Sequence, residues 1–271
     1  MTMALVLTSR LSIAAGFLSL GVFMGMWGVL IPERCATLGF SELDLSLFLL
    51  MIGFSLCGAV FCVTRFASFQ NSSRLIRIAA PLYTLGFALL LTTETAGIVY
   101  IVGIMTGFTA GLIDTALNGQ ASDWERLSRR RGMSFFHALF SLGALCGAAI
   151  VTLFLSLAWP VTPIIFGVAI LAGGFLAQRR NWINASIMGA TPHAGADQLI
   201  DEPGKTSRLP PGLVLFLGTS IALATFTEGG VLDWSALHLT KVMSFTISEA
   251  GRSIVLFSIA ITVSRFCGDW L

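Results

Sequence analysis

Asp114 stands inside an apolar run, in Gly111-Leu-Ile-Asp114-Thr-Ala-Leu-Asn118. A carboxylate at the centre of a membrane helix costs about 2.5 to 3.5 kcal/mol on insertion scales, so it is expected to face a cavity or a partner. Gly107, Gly111, Asp114 and Asn118 follow steps of four, three and four, which puts them on one helix face. Asn118 is then placed to hydrogen-bond the carboxylate or to line the same cavity. His137 is the candidate partner, because Asp114 falls shortly before one apolar run ends and His137 shortly after the next begins. A carboxylate and an imidazole at matched depth have the chemistry of a proton relay, since His titrates near neutral pH. The same pair could equally do no more than fix helix register.

Glu228 occupies a second polar position, late in the seventh run, in Thr227-Glu228-Gly-Gly-Val-Leu-Asp233-Trp234-Ser235. That position predicts a place near the outer face. The paired glycines predict a break in the helix, the device that exposes backbone to a solute in transporters. Glu228 is therefore a candidate for a substrate cavity or an outer gate, while Asp233 and Trp234 read as interfacial anchors. Trp27 lies at the corresponding depth of the first run, where its indole could stack on a ligand or join an aromatic belt.

Other chemistry is not signalled. The five cysteines, Cys35, Cys57, Cys62, Cys146 and Cys267, have no CxxC or His/Cys ligand spacing, so neither a metal site nor a cofactor is expected. HExxH, GxSxG and phosphate-loop patterns do not occur, which argues against an enzyme and against nucleotide hydrolysis by this chain. With 55% apolar and 11% charged residues the chain has the balance of a membrane protein, and a net charge of +2 gives no reason to expect nucleic acid.

Eight apolar runs must position these residues: roughly 11–32, 45–64, 78–93, 96–118, 133–157, 161–178, 212–232 and 250–268. Most approach the ~20 residues with which a helix crosses ~30 Å of hydrocarbon. Of the 16 Lys and Arg residues, 13 fall before the first run, after the second, fourth and sixth, or at the end of the eighth. Only Arg34, Lys241 and Arg252 fall in the other gaps. The positive-inside rule then predicts both termini in the cytoplasm. Residues 181–210 are polar, contain Pro192, Pro203 and Pro210, and lack periodicity, as a cytoplasmic linker would. The expected organisation is a six-helix bundle over 1–180, the linker, and over 211–271 the first two helices of an incomplete second bundle. Gly103, Gly107 and Gly111, Gly143 and Gly147, and Gly21 and Gly25 recur at the four-residue spacing that lets membrane helices approach closely.

Four stretches together carry a resemblance: Trp27-Gly-Val-Leu-Ile-Pro32, Leu-Ile-Asp114-Thr-Ala-Leu-Asn118-Gly-Gln, Phe136-His137-Ala-Leu-Phe-Ser141-Leu-Gly143, and Glu228-Gly-Gly-Val-Leu-Asp233-Trp234-Ser-Ala-Leu. In this order the chain resembles the major facilitator superfamily, and most of all its YbjJ-like bacterial inner-membrane branch. The resemblance spans essentially the whole chain. It implies a twelve-helix fold around one central cavity, alternating access, and a place in the inner membrane. It departs at two points. The loop after the second run, Thr64-Arg65-Phe66-Ala-Ser-Phe-Gln-Asn71-Ser72-Ser73-Arg74, lacks the glycines and acid of the family's gate motif, leaving Arg65 and Arg74 as gate candidates. Asp269, in Gly268-Asp269, resembles the start of the second gate loop, and the last four helices do not follow. The expectation is an all-α, MFS-type membrane protein of about eight spans that acts in proton-coupled secondary transport of a small polar solute. The alternative expectation is a truncated remnant that does not transport.

Overall fold

A computed structural model describes residues 3–66, 71–178, 182–183 and 210–267. The described residues form eight α-helices: α1 (Met3–Leu38), α2 (Glu42–Arg65), α3 (Ser72–Thr92), α4 (Ala96–Ser128), α5 (Met133–Ser156), α6 (Thr162–Leu176), α7 (Pro211–Met243) and α8 (Ile247–Cys267). Seven are long and apolar enough to cross a membrane. The exception is α6, where the apolar run predicted a full span and the helix has 15 residues. At 1.5 Å per residue it reaches about 22 Å. Pro160 and Pro163 set where it can begin, and at its end Trp182 Nε1 donates to the Leu176 carbonyl at 2.9 Å. Most of the stretch expected as linker, 184–209, lies outside the described residues.

The small-residue ridges are the joints of the assembly. α1 and α5 make the most extensive contact in the molecule, and their glycines interlock reciprocally. A Cβ added at Gly21 or Gly25 would lie 1.9 or 2.0 Å from the carbonyl oxygens of Phe140 and Ala144, and one at Gly143 or Gly147 would lie 2.2 or 2.0 Å from those of Leu18 and Val22. Without a hydrophobic drive in lipid, this backbone-to-backbone approach supplies the contact area. Gly103, Gly107 and Gly111 play the same part between α4 and α2, meeting Phe48 and the carbonyls of Ile52 and Leu56.

Polar side chains close the ends of the bundle. α4 ends at Arg129 in the left-handed region (φ 54), and Glu125 folds back to accept from the backbone N–H groups of Gly132 and Met133 at 2.6 and 2.9 Å. That carboxylate meets the otherwise unpaired first N–H groups of α5. Arg34, buried near the end of α1, donates to the carbonyls of Leu91 (3.2 Å) and Thr93 where α3 terminates. Gln120, 0% exposed on α4, donates to Ser72 Oγ (2.8 Å) and the Ile183 carbonyl (2.9 Å) and accepts from the Ile183 N–H (2.8 Å). It pins the segment after α6 to α3 and α4. Gln120→Leu should strand both Ile183 backbone groups and cost about 1–3 kcal/mol, read as a lower melting temperature in detergent. A melting curve identical to the parent's would refute that role.

α8 returns along α5 for its whole length. Ser248 Oγ donates to the Thr152 carbonyl at one end, and Phe135 meets Phe266 edge-on at the other. α7 packs on α1 and α8 through its second half only. Every residue from Gly212 to Thr227 is exposed.

Candidate functional site

Asp114 points out of the helix packing. It is exposed, although Ile113 and Ala116 beside it are buried. Asn118 Nδ2 donates to its backbone carbonyl at 2.9 Å and to its Oδ1 at 3.3 Å, so the shared face read from the spacing brings these two together. Asp114 also lies close enough to the buried Tyr83 of α3 to act on it electrostatically. His137 sits elsewhere. Its ring meets Phe17 edge-on, with centroids 5.2 Å apart, and the charge that reaches it is that of Arg265. Among the described residues no hydrogen bond or ion pair joins Asp114 to His137, and α4 and α5, which carry them, touch only slightly.

The ion pair inside the helix packing is a different one. Arg265 of α8 pairs with Glu228 of α7 at 2.6 Å, and its second nitrogen donates to Ser141 Oγ of α5. The side chains of Arg265 and Glu228 are only 30% and 20% exposed. Three helices thus meet at one charged cluster, with His137 one helical turn from Ser141. Such a pair in a low-dielectric setting persists only if both charges are matched.

This geometry corrects the expected placement of Glu228. It lies in the middle of α7, which continues for fifteen residues beyond it to Met243, about 22 Å along the axis. Nor do Gly229 and Gly230 break the helix, which runs unbroken through both. The apolar pattern ends at Asp233, but the helix does not. Asp233 Oδ1 accepts from Trp27 Nε1 at 3.1 Å, so the polar residue that ended the run is satisfied from α1. Asp233 is consequently an inter-helix contact rather than an interfacial anchor. Trp27, 6% exposed and packed near Phe48, is held inside the bundle and not in an aromatic belt.

The gate candidates stay apart. Arg65 ends α2 and Arg74 lies in the first turn of α3; both are exposed. Asp269 and residues 67–70 lie outside the described residues. At the far ends of α2 and α7, Lys241 pairs with Glu42 at 2.7 Å, an exposed contact that sequence reading did not foresee.

Arg265 and Ser141 were also missed. Arg265 reads as an ordinary positive residue at the end of a run, but Ser258, Thr262 and Arg265 follow steps of four and three, a polar ridge on one face of α8. Ser258 and Thr262 are buried, so this ridge was the available signal. No group of three or more metal-ligating side chains occurs among the described residues.

No protein-family model matches the chain. It is similar to an uncharacterized MFS-type transporter of Yersinia pestis, with 31% identity over 264 residues, covering 97% of this chain and 66% of the relative. An uncharacterized transporter of Sinorhizobium fredii is 29% identical over 277 aligned positions, covering 98% and 68%. The membrane protein MosC of Rhizobium meliloti is 24% identical over 269, covering 95% and 60%. The chain therefore spans about two thirds of the length of the curated relatives it matches.

Proposed function

We propose that the chain belongs to the major facilitator superfamily and acts in secondary transport of a small polar solute, coupled to protons. The observation that carries this reading is that intramembrane polar groups from both helical sets meet. Glu228 and Arg265 of α7 and α8 converge on Ser141 of α5, and Asp233 of α7 on Trp27 of α1. Ionisable residues within membrane helices are costly, pair with one another and mark solute and proton pathways. The similarity to named transporters of Yersinia pestis and Sinorhizobium fredii points the same way. Asp114, an exposed carboxylate in an apolar helix, is the candidate proton carrier, with Asn118 orienting it and His137 on the side of the Arg265 cluster.

The orientation follows from charge. The 13 of 16 cationic residues in alternate gaps support an orientation with both ends of the chain and the 181–210 segment on the cytoplasmic side. Of the three remaining cations, Lys241 serves an ion pair and Arg34 terminates α3, while Arg252 is exposed near the start of α8. Alkaline phosphatase fused after Arg208 is expected to be inactive, and fused after Lys241 active. The reverse pattern would invert the topology.

Proton coupling is tested with a longer protein containing these helices, in proteoliposomes carrying a pH-sensitive dye. Solute addition should move protons, and Asp114→Asn should abolish solute-driven proton movement and accumulation. Accumulation by Asp114→Asn equal to the parent's, with the same pH dependence, would remove Asp114 from the coupling path.

A further inference from the structure

We propose that the Glu228–Arg265–Ser141 cluster is the recognition site for a zwitterionic solute, one carrying both a carboxylate and an ammonium group. The inference rests on the transporter reading and assigns its solute class.

Charge balance at the cluster selects the solute. Arg265 presents a guanidinium whose two terminal nitrogens already serve a carboxylate, Glu228 Oε2 at 2.6 Å, and a hydroxyl, Ser141 Oγ. One terminal nitrogen thus holds a carboxylate and the other a neutral hydroxyl, and a guanidinium can take an incoming carboxylate on both. An anionic solute taking Arg265 would strand Glu228 as an uncompensated carboxylate between helices, and a cationic solute taking Glu228 would strand Arg265. Either outcome is unfavourable for side chains that are only 30% and 20% exposed. A zwitterion avoids both, because its carboxylate replaces Glu228 on Arg265 while its ammonium replaces Arg265 on Glu228. The site's net charge is the same before and after binding.

Its position suits an exchange of this kind. The two side chains retain 30% and 20% exposure, so a solute can reach them without unfolding the helices. Ser141 is buried on α5, within the α1–α5 joint, and holds Arg265 from the first helical set while Glu228 holds it from the second. Opening the pair around a solute would thereby act directly on the contact between α5 and the α7–α8 hairpin. The Lys241–Glu42 pair offers the same two charges but is exposed at 43% and 64%, where water already solvates each, so it has no comparable selectivity.

The test is equilibrium binding to the purified 271-residue chain in nanodiscs, which contains every residue of the cluster. The probes are the common α-amino acids and short ω-amino acids, with propionate and ethylamine as single-charge counterparts of alanine and β-alanine. At least one zwitterion should bind saturably, at least tenfold more tightly than its single-charge counterparts. Arg265→Gln and Glu228→Gln should abolish that binding, and Lys241→Gln should preserve it. Ser141→Ala leaves both charges in place, so it tests the site even where a charge-removing variant fails to fold; it should weaken binding about tenfold. Binding of propionate or ethylamine as tight as that of the zwitterions overturns the solute class and leaves the transporter reading intact. Absence of binding by every zwitterion in the panel overturns the proposal, while the proton-flux experiment on Asp114 decides the transporter reading independently.

Discussion

Gly147→Leu is expected to leave almost no correctly folded protein. A Cβ at residue 147 would lie 2.0 Å from the Val22 carbonyl oxygen, and 2.9 Å from its carbonyl carbon. The obstacle is backbone of a helix that is itself held by Gly21 and Gly25 against α5, so it cannot swing aside as a side chain would. Overpacking a well-packed core ordinarily costs about 1–3 kcal/mol, and a side chain driven into a facing backbone lies at or beyond the top of that range. α1–α5 is also the most extensive helix pair among the described residues, so parting it separates α5, with the α8 packed on it, from α1. The matched control is Gly53→Ala on α2, where nothing lies within 4 Å of the added atom. It should be neutral or slightly stabilising, since Ala exceeds Gly in a helix by roughly 0.5–1 kcal/mol. Size-exclusion profiles and melting curves in detergent measure both. A monodisperse Gly147→Leu melting with the parent would show that the interlock does not hold the bundle.

The second large effect is functional: the 271-residue chain, reconstituted by itself, is expected to insert and bind solute but to show no turnover. Alternating access requires two bundles rocking about a shared site. Here α1 to α6 form one joined set, whereas among the described residues α7 packs on it through its second half and leaves residues 212–227 exposed. Two helices anchored to α5 and α1 can complete a binding cluster but cannot reciprocate as a rigid body. Cleavage by an added protease should occur first after residue 210. Saturable, protonophore-sensitive flux by this chain in liposomes would refute the argument, and a second copy supplying the other wall would then show as a dimer in crosslinking.

Much of the architecture was written in the sequence because the bilayer imposes it. Only a helix satisfies its own backbone in hydrocarbon, so run length alone places α1 to α5, α7 and α8, and glycine spacing identifies the faces on which α1 meets α5 and α2 meets α4. Asn118 beside Asp114 was equally legible, because a step of four on one helix is a local relation. α6 fell short of its run because prolines and the Trp182 cap, not hydropathy, set its ends.

What the sequence could not determine is which polar groups meet across helices. Composition marked Asp114, His137 and Glu228 as costly, but cost does not name a partner. Matched depth suggested Asp114 with His137, two residues on helices that barely touch. Glu228 instead found Arg265, and Asp233 found Trp27, 206 positions away in the chain. Hydropathy placed Arg265 at a membrane edge and ended the seventh run at Asp233, since it scores each residue against lipid. Tertiary packing decided otherwise, because a charge or an indole N–H brought within about 3 Å of its complement no longer faces lipid at all.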